Sequence, residues 1–407
     1  MASLSVGAHG PQEMIPSVPS ALEPRSLPPA QSPDLKLVPA TPAENIQTAY
    51  LNQPEWGGPL TLEQYLEREA ILKSTDLSRE GRLVGWILTS DSLPTNDDGT
   101  RHIFASCETF TIHGYVAQYG IIERVQAHAI ASVYTRPEYR GKGYAGRLMA
   151  ELGERLETWR QSSLQKANRI ANPFSVLWSD IGRDFYAKHG WKAFPSNHIH
   201  LAPLNLSGYE AIHGLLPVVD DLFMADVPQI PAVDTLEERL LRLSESNRDI
   251  TYVAIRPDLE HLQWHFAREE YIHQALGRPR PWIKGAIHRE TGIALIWCRV
   301  YPESGTDRRL CILHTVVHPS VENSETAQAA MTALLLRAQL EAQFWEMGAV
   351  EVWDPSDLVI AAAQELRTEE QGKVEIVARE DHLCSLRWTT SSGNDITWLA
   401  NEKYAWC

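Results

Sequence analysis

Long apolar runs are missing from the 407-residue sequence. No stretch of about 18 residues is uniformly apolar, so no membrane-spanning helix is expected. The N-terminus lacks the basic and apolar segments of a secretory signal and the Arg-rich pattern of a transit peptide. Cysteine is scarce, and the five scattered residues form no Cys-x-x-Cys pair, which argues against a disulfide framework or a zinc cluster. We therefore expect a cytoplasmic protein with no metal and no membrane partner.

Positive charge is also in deficit. The sequence has 37 Lys and Arg residues against 52 Asp and Glu residues, a formal net charge of −15. A nucleic-acid-binding surface needs basic patches, so this balance argues against a nucleic-acid partner and suits a small cationic substrate. An anionic cofactor would need a local basic pocket. The 43% of hydrophobic and 22% of charged residues are otherwise typical of a globular protein with two or three domains.

Alternating strand and helix patterns indicate an α/β (α+β) fold in two domains that follow a proline-rich tail. Residues 1–34 hold seven prolines among Ser, Ala and Gln, a composition typical of a disordered segment. The patterns predict a first domain over residues 35–203, a linker over 204–233 and a second domain over 234–407.

The second domain resembles a faded copy of the first. A strand ends at Arg136-Pro137 in the first half and at His318-Pro319 in the second, each time before a helix. Each helix is followed by a strand of similar pattern, at 176–180 and 350–354. This shared order indicates duplication, with chance similarity of two α/β units as the alternative. The second copy has no glycine before its helix, at 320–323.

The most informative motif is the turn at 141–146, Gly-Lys-Gly-Tyr-Ala-Gly, between a strand and a helix. It formally fits the G-x-G-x-x-G fingerprint of dinucleotide-binding proteins, but no acid for a ribose lies about 20 residues further on, at 165–170. It better fits the pattern x-Pro-x-x-Arg-Gly-x-Gly-x-Ala, in which backbone N–H groups and the helix N-terminus cradle a pyrophosphate. Local positive charge comes from Arg136, Arg140, Lys142 and Arg147.

This turn, with Arg140, Gly143 and Ala145, resembles motif A of the GCN5-related N-acetyltransferases (GNATs). A second signature of that family, Phe-Tyr-x-x-x-Gly-(Phe/Trp), is matched by Phe185-Tyr186 and Gly190-Trp191, at a spacing that suits one helix and one strand. A closer resemblance, over most of the chain after residue 35, is to fungal lysine N6-acetyltransferase-like proteins. The segments that carry it are Cys107-Glu108, 131–143, 179–182 and 401–407.

The resemblance implies a GNAT fold, with a mixed central sheet flanked by helices, followed by a degenerate GNAT-like domain that has lost cofactor binding and shapes the substrate pocket. It implies transfer of acetyl from acetyl-CoA to a small-molecule primary amine, with the N6-amine of free L-lysine as the best candidate. Another small amine, a polyamine or a protein lysine stays open as the acceptor, and so does a non-catalytic acyl-CoA-binding role. An NAD-dependent oxidoreductase that uses the glycine turn is a further alternative.

The resemblance also assigns cofactor-binding residues and a proton donor. Pantetheine is expected along Val133, Tyr134 and Thr135, where a backbone N–H would polarise the thioester carbonyl. Tyr186 aligns with the tyrosine that protonates the departing thiolate in many family members, although it could simply pack on the cofactor. The pyrophosphate is expected on the amides of the turn formed by Arg140, Gly141, Lys142, Gly143, Tyr144 and Ala145.

The base that deprotonates the amine has several candidates, because a lysine ammonium with a pKa of about 10.4 is not nucleophilic. Asp180 lies at a strand end but could instead cap the following helix. The Cys407 carboxylate enters the active site if the chain follows some tandem acetyltransferases, and otherwise the tail packs on the second domain. Glu108 and Glu123 could act through water or bind a cationic substrate, although most exposed carboxylates do neither.

Other chemistry-bearing residues favour structural roles. His128 could shuttle a proton, but a satisfied strand histidine is the better interpretation. His261 and His265 have the i, i+4 spacing of zinc ligands but lack the Glu of His-Glu-x-x-His and a third ligand, which favours an exposed helix face. Cys107 has no adjacent base in the sequence and is expected to be a buried strand cysteine.

Overall fold

Two mixed β-sheets form the framework of the protein. The computed structural model describes residues 27–161, 172–302, 307–367, 373–389 and 395–406. Within these residues the chain forms the mixed, helix-flanked α/β arrangement that the sequence predicts.

The elements alternate along both halves of the described chain. The helices are α1 (Pro42–Trp56), α2 (Leu62–Ser74), α3 (Tyr144–Thr158), α4 (Asp184–Ala187), α5 (Leu206–His213), α6 (Ala232–Ser246), α7 (Leu259–Ala275), α8 (Glu325–Phe344) and α9 (Asp357–Glu365). The strands are β1 (Leu35–Pro39), β2 (Leu83–Ser90), β3 (Ala105–Gln118), β4 (Ile121–Tyr134), β5 (Phe174–Ser179), β6 (Lys192–Ala193), β7 (Asn197–Leu201), β8 (Asp220–Phe223), β9 (Ile250–Ile255), β10 (Ile283–His288), β11 (Ile293–Val300), β12 (Arg309–Val316), β13 (Ala349–Trp353), β14 (Val377–Ala378), β15 (Leu383–Trp388) and β16 (Asp395–Trp398).

The two sheets repeat one topology. The first has the strand order β1-β2-β3-β4-β5-β15-β6, with β9 paired to the far end of β3 and β16 paired to β9. The second has the order β14-β7-β13-β12-β11-β10-β8. In each sheet an antiparallel run ends in a parallel pair, β4 with β5 and β12 with β13, and a long helix, α3 or α8, connects that pair. The structure thus contains the two GNAT-like units predicted from the sequence.

The halves of the chain exchange strands. β15, from the second half, pairs antiparallel along the edge of β5 in the first sheet. β7, which precedes residue 203, pairs antiparallel with β13 in the second sheet. Each exchanged strand takes the same place beside the parallel pair, so each sheet is completed by a segment from outside its own predicted domain.

Three buried layers join the helices and sheets. Helix α3 packs on one face of the first sheet, where Leu148 and Leu152 contact a cluster that includes Leu177. The opposite face of that sheet shares one core with the second sheet, in which Val176 and Ile296 are both fully buried. Helices α8 and α9 cover the outer face of the second sheet. The space between the sheets is therefore lined by both halves of the chain.

The hairpin of β3 and β4 is longer than the sequence patterns predict, which placed strands only at 103–110 and 129–134. The connecting residues Tyr119 and Gly120 have φ angles of 54° and 75°, as a tight two-residue hairpin turn requires. The added length lets β3 pair with β9, which ties the hairpin to the second half.

Two predicted irregular segments contain ordered structure. Residues 27–34 of the predicted tail are in place, and Ala30 is 4% exposed in the cluster beneath α3. The predicted linker 204–233 contains α5 and the edge strand β8, which pairs with β10. Residues 1–26 lie outside the described part of the chain. The physical reason is tertiary pairing, which can order a proline-rich or mixed segment that local propensity leaves undecided.

A buried ion network fixes helix α7 against the second sheet. Arg299 lies between Glu269, 2.9 Å away, and Glu341, and Lys284 lies 2.8 Å from Glu269. The side chains of these four residues are at most 5% exposed. Because burial removes water from these charges, the loss of one partner leaves an uncompensated buried charge, which strongly destabilises the fold.

We expect Arg299→Met to lower the free energy of unfolding by about 3–5 kcal/mol, since two buried carboxylates lose a partner. Chemical denaturation followed by tryptophan fluorescence measures this change. The control is Arg289→Met, whose pair with Asp220 is more than half exposed and should contribute less than about 1 kcal/mol. Equal effects of the two substitutions would contradict a stabilising role for the buried network.

Candidate active site

The parallel strands β4 and β5 separate partway along their length. Their ladder comprises three residue pairs, ending at Ile130 and Leu177. Beyond it, β4 carries a bulge opposite β3, where the register shifts and Ser132 has a φ of 53°. The backbone from the bulge to Thr135 therefore faces an opening between the strands, where an extended ligand could bind its N–H and C=O groups. This is the segment in which Val133, Tyr134 and Thr135 were predicted to bind pantetheine.

The glycine turn follows the same strand and forms a cradle of backbone amides. Gly141 and Gly143 have φ angles of 75° and 89°, which other residues rarely adopt. Gly143 caps α3, and the first N–H of the helix with an internal acceptor is that of Arg147, which donates to Gly143 O at 3.0 Å. The preceding amides thus point out of the helix N-terminus, where an anion is stabilised. A Cβ at Gly141 would meet no described atom within 4 Å, so the cradle is open.

The basic side chains around the turn have local partners. Arg140 Nη2 lies 2.7 Å from Glu55 Oε1, and its Nε donates to Thr135 O at 3.0 Å. Lys142 Nζ donates to Glu138 O at 2.6 Å. The backbone cradle, with the cations at its rim, fits the phosphates of a CoA-type cofactor.

Residues 27–34 pack against one side of this turn. Tyr144 donates its phenol hydrogen to Pro28 O at 2.6 Å, which uses the tyrosine as a structural anchor. A Cβ at Gly143 would lie 3.1 Å from Ala30 Cβ. The turn therefore has packed chain on one side and open space on the other.

A cavity of about 830 Å³ extends from the turn into the space between the two sheets. Its lining includes Arg140, Ala145 and the bulge from Ile130 to Thr135 on the first sheet. Helix α2 contributes Arg68 and Glu69, and the second half contributes aromatic and cationic residues. The lining residues of the second half are Trp264, Arg268, Val300, Tyr301, Pro302, His382, Lys403 and Trp406.

Tyr186 and Asp180, both predicted catalytic residues, line this cavity. Tyr186 is 7% exposed, and burial, with smaller contributions from Asp180 and Cys107, raises the pKa of its phenol. Burial by itself would raise the pKa of Asp180, but His382 outweighs it and the pKa lies below its usual value. The His382 backbone N–H donates to Asp180 Oδ1 at 2.9 Å, and its Nδ1 lies 2.8 Å from the same oxygen. Asp180 is thus held as an ionised partner of His382 rather than as a helix cap.

Glu108 lies beside the bulge on the neighbouring strand. Ser132 Oγ donates to its Oε2 at 3.0 Å, and Lys73 Nζ is 3.9 Å from its Oε1. Burial outweighs the Lys73 charge and raises the pKa of this carboxyl. A buried carboxyl with a raised pKa has the property expected of a proton acceptor.

Other predicted site residues lie elsewhere. Glu123 is exposed on the far part of β4, paired with Val116, and is not among the residues that line this cavity. Cys407 lies outside the described residues, so its predicted role stays a prediction.

His128 is fully buried and accepts a hydrogen bond from Asn172 Nδ2 at 3.1 Å. Burial lowers the pKa of His128 to about 4, which favours the structural interpretation.

The His261 and His265 pair is not on an exposed helix face, which corrects the sequence-based expectation. Both side chains are buried against the C-terminal segment. His261 Nδ1 lies 2.8 Å from Asp258 Oδ1, and His265 Nε2 lies 3.2 Å from Tyr404 O. Cys107 is a buried strand cysteine, as expected, and burial raises the pKa of its thiol.

Several cavity residues escaped the sequence analysis, among them Arg268, His382, Lys403 and Trp406. Lys403 and Trp406 belong to a segment quoted only for its resemblance, although a Lys between aromatic residues was a usable signal. Arg268 and His382 stand in no motif. They reach the cavity because α7 and β15 pack against the first sheet, a long-range arrangement that local patterns do not encode.

The second copy of the turn differs from the first. Helix α8 begins after Ser324, whose side chain accepts a hydrogen bond from the Ala327 N–H at 3.0 Å. Such a cap satisfies an amide that the first copy leaves open at Gly143. The difference agrees with the expected loss of cofactor binding in the second unit.

A possible metal-ligand cluster lies outside the cavity lining. His198, His200 and Glu351 place one ligand atom each within 4.8 Å of the others. The predicted absence of a metal therefore stays a prediction. None of the helices in the described ranges is long and apolar enough to span a membrane.

We expect Gly141→Ala to weaken CoA binding by about 10- to 100-fold, because a methyl group enters the amide cradle and the left-handed backbone becomes strained. Isothermal titration calorimetry with CoA measures the change. Gly292→Ala is the matched control, since Gly292 has a φ of 71°, equally open surroundings and a position in the β10–β11 turn. Equal CoA affinities for both variants would contradict a cofactor role for the turn.

Comparison with known proteins agrees with this geometry. A family model described as "LYC1 GNAT-like C-terminal domain" matches residues 203–407, and one described as "Acetyltransferase (GNAT) domain" matches residues 99–193. The chain is similar to an uncharacterized protein of Saccharomyces cerevisiae, YGR111W, with 22% identity over 88% of this chain and 94% of the yeast protein. It is also similar to a lysine acetyltransferase of Yarrowia lipolytica, with 31% identity over 37% of this chain and 38% of that protein.

Among solved structures, the chain is similar to a GCN5-related N-acetyltransferase from Kribbella flavida, with a TM-score of 0.46 and 17% identity over 87% of this chain and 71% of that chain. The two family models together match both halves of the chain, and the GNAT-domain match over residues 99–193 includes the turn, the bulge and Tyr186. The chain therefore belongs to the GCN5-related N-acetyltransferase superfamily, as an acyltransferase of two GNAT-like units whose second half is a LYC1-type C-terminal domain.

Proposed function

We propose that the protein transfers an acetyl group from acetyl-CoA to a small-molecule primary amine, with the N6-amine of free L-lysine as the best candidate. The observation that carries the proposal is the cavity whose lining combines Arg140 and Ala145 of the turn with the β4 bulge, Glu108 and Tyr186. The name of the partly matching Yarrowia relative supports lysine as the acceptor. Acetyl-CoA supplies the acetyl group as an activated thioester.

The reaction exchanges one bond for another. The neutral amine nitrogen forms a C–N bond to the acetyl carbonyl carbon while the C–S bond breaks, which yields an N-acetylated amine and CoA. One proton leaves the amine, and one proton is delivered to the departing sulfur, so charge and atoms balance. The residues of this chain have to hold the reactants in line, receive the first proton and supply the second.

Glu108 is the residue that we assign to receive the amine proton. It lies beside the bulge, and its raised pKa brings the carboxylate closer in basicity to the group that it must deprotonate. Asp180 suits this role less well, because its pKa is lowered and His382 occupies one of its oxygens. Asp180 is better placed to orient His382 at the cavity wall.

Tyr186 is the residue that we assign to supply the sulfur proton. Its raised pKa keeps the phenol protonated at neutral pH, the state that a proton donor needs. It lines the cavity close to the point where β4 and β5 separate, so a sulfur held along β4 would face it.

We expect wild-type protein to release thiol from acetyl-CoA when L-lysine is present, and Tyr186→Phe to reduce kcat by about 10²- to 10⁴-fold, because proton delivery is lost. A coupled thiol assay with L-lysine, polyamines and a lysine peptide in parallel measures this. Tyr119→Phe, at the exposed hairpin turn, is the control. Release with another amine alone would overturn lysine as the acceptor. If the wild-type protein binds CoA but releases no thiol with any amine, the catalytic proposal is wrong and an acyl-CoA-binding role replaces it.

The pH profile tests Glu108. A base must be deprotonated, so kcat/KM should rise with pH through the raised pKa of Glu108 and then level off. Glu108→Gln should remove this limb and lower kcat/KM by about 10²-fold or more. The comparison is Asp180→Asn, which should keep the limb. If Asp180→Asn removes the limb and Glu108→Gln keeps it, Asp180 is the base instead.

A further inference from the structure

The cavity wall contains more positively charged side chains than its carboxylates can pair with. Three of the cations pair with carboxylates of the same wall. Arg68 lies 2.7 Å from Glu69, Lys73 lies 3.9 Å from Glu108, and Arg140 lies 2.7 Å from Glu55. Asp180 lies 2.8 Å from His382. Two cations remain, Arg268 and Lys403, and both come from the second half.

These two cations form no ion pair or hydrogen bond through their side chains with any described residue. Both lie against aromatic rings. The Lys403 ammonium lies 3.7 Å from the ring centre of Trp406 and 4.2 Å from that of Trp353, and the Arg268 guanidinium lies 5.6 Å from that of Trp406. An aromatic ring offsets part of the cost of a buried cation but leaves its hydrogen-bond donors unused. The donors of Arg268 and Lys403 are therefore available to a ligand in the cavity.

The groups around Lys403 do not neutralise it. The inner face of the second sheet presents Cys298, Cys311 and Glu351 towards it. Helix α7 presents Arg268 and His265, and Asp180 acts on it from the first sheet, where His382 lies 2.8 Å from this carboxylate. Glu351 stands beyond ion-pair distance and is engaged by His200 at 3.4 Å and His198 at 3.7 Å. Burial dominates and lowers the pKa of Lys403 to about 8, and burial likewise lowers the pKa of Arg268 to about 10. Both groups stay largely protonated at neutral pH, at a cost that a bound anion would offset.

We propose that Arg268 and Lys403 form a carboxylate-binding subsite for the acceptor, so that the second half of the chain selects an amino acid over a simple amine or polyamine. This subsite rests on the proposed acetyl transfer. The reacting amine would lie at the bulge beside Glu108, and the carboxylate of the same molecule would lie between α7 and the C-terminal segment. A polyamine would bring a second ammonium to two uncompensated cations, which is unfavourable.

The subsite has a matched set of ligands. L-lysine, L-lysinamide and cadaverine carry the same terminal amine, but only L-lysine carries a carboxylate. We expect wild-type protein to acetylate L-lysine with a kcat/KM about 10- to 100-fold above those of the other two. Arg268→Gln and Lys403→Met should each raise KM for L-lysine by about 10- to 100-fold, with little change in kcat and little change for cadaverine.

A control variant and three further measurements separate loss of the subsite from loss of the fold or of the cofactor site. Arg242→Gln, on the exposed face of α6, is the control for the loss of an arginine. Thermal unfolding and CoA affinity, measured on each variant, show that the fold and the cofactor site are intact. Calorimetric binding of L-lysine to the CoA-saturated protein reports on the subsite without any turnover.

Each outcome decides between the subsite and the reaction. The subsite is wrong if wild-type protein does not distinguish L-lysine from cadaverine, if both variants lose activity equally on all three amines, or if they lose CoA affinity instead. It is also wrong if L-lysine neither binds nor reacts. If no amine is acetylated but L-lysine binds and both variants lose that binding, the subsite stands and the proposed reaction is wrong.

Discussion

The end of pairing between β4 and β5 is the feature on which the site depends. Within a parallel sheet, every ladder position that is given up leaves backbone donors and acceptors without partners. Here the ladder stops at Ile130 and Leu177, and the bulge at Ser132 turns the β4 backbone away. An extended ligand that binds in the gap would replace the missing strand, which explains why a pantetheine arm suits this place.

The strand exchange stabilises β5 beside that opening, because β5 is paired along the whole of its other edge. Six residue pairs join it to β15, from Ser179 with Leu383 to Phe174 with Trp388. The second half therefore does more than cover the cavity. It holds the strand that forms one side of the opening, and it supplies the residues that line the opposite wall.

Local patterns in the sequence predicted the strands and the helix around the glycine turn, but they missed the full length of the β3–β4 hairpin and the elements α5 and β8 of the predicted linker. The glycines at 141 and 143 have left-handed backbone, and Tyr186 stands in a recognisable signature, so nearby residues alone were enough to predict roles for them. The acceptor end could not be predicted in the same way. Arg268 and Lys403 are 135 positions apart in the sequence and meet only because α7 and the C-terminal segment lie between two sheets. Glu123 was predicted, like Glu108, to act through water or to bind a cationic substrate, but the unexpected length of the hairpin leaves it on the exposed, distant part of β4.

The exchange of strands also governs the order in which the chain can fold during synthesis. The strand that completes the first sheet is made about 200 residues after β5, which at about 5–20 residues per second corresponds to a delay of about 10–40 s. Throughout that interval one backbone edge of β5 has no partner strand. The strand contains Phe, Val, Leu and Trp, and all six of its residues are buried in the folded protein. The nascent first unit is thus an incomplete sheet, whose edge is open to pairing with other chains until β15 has been translated.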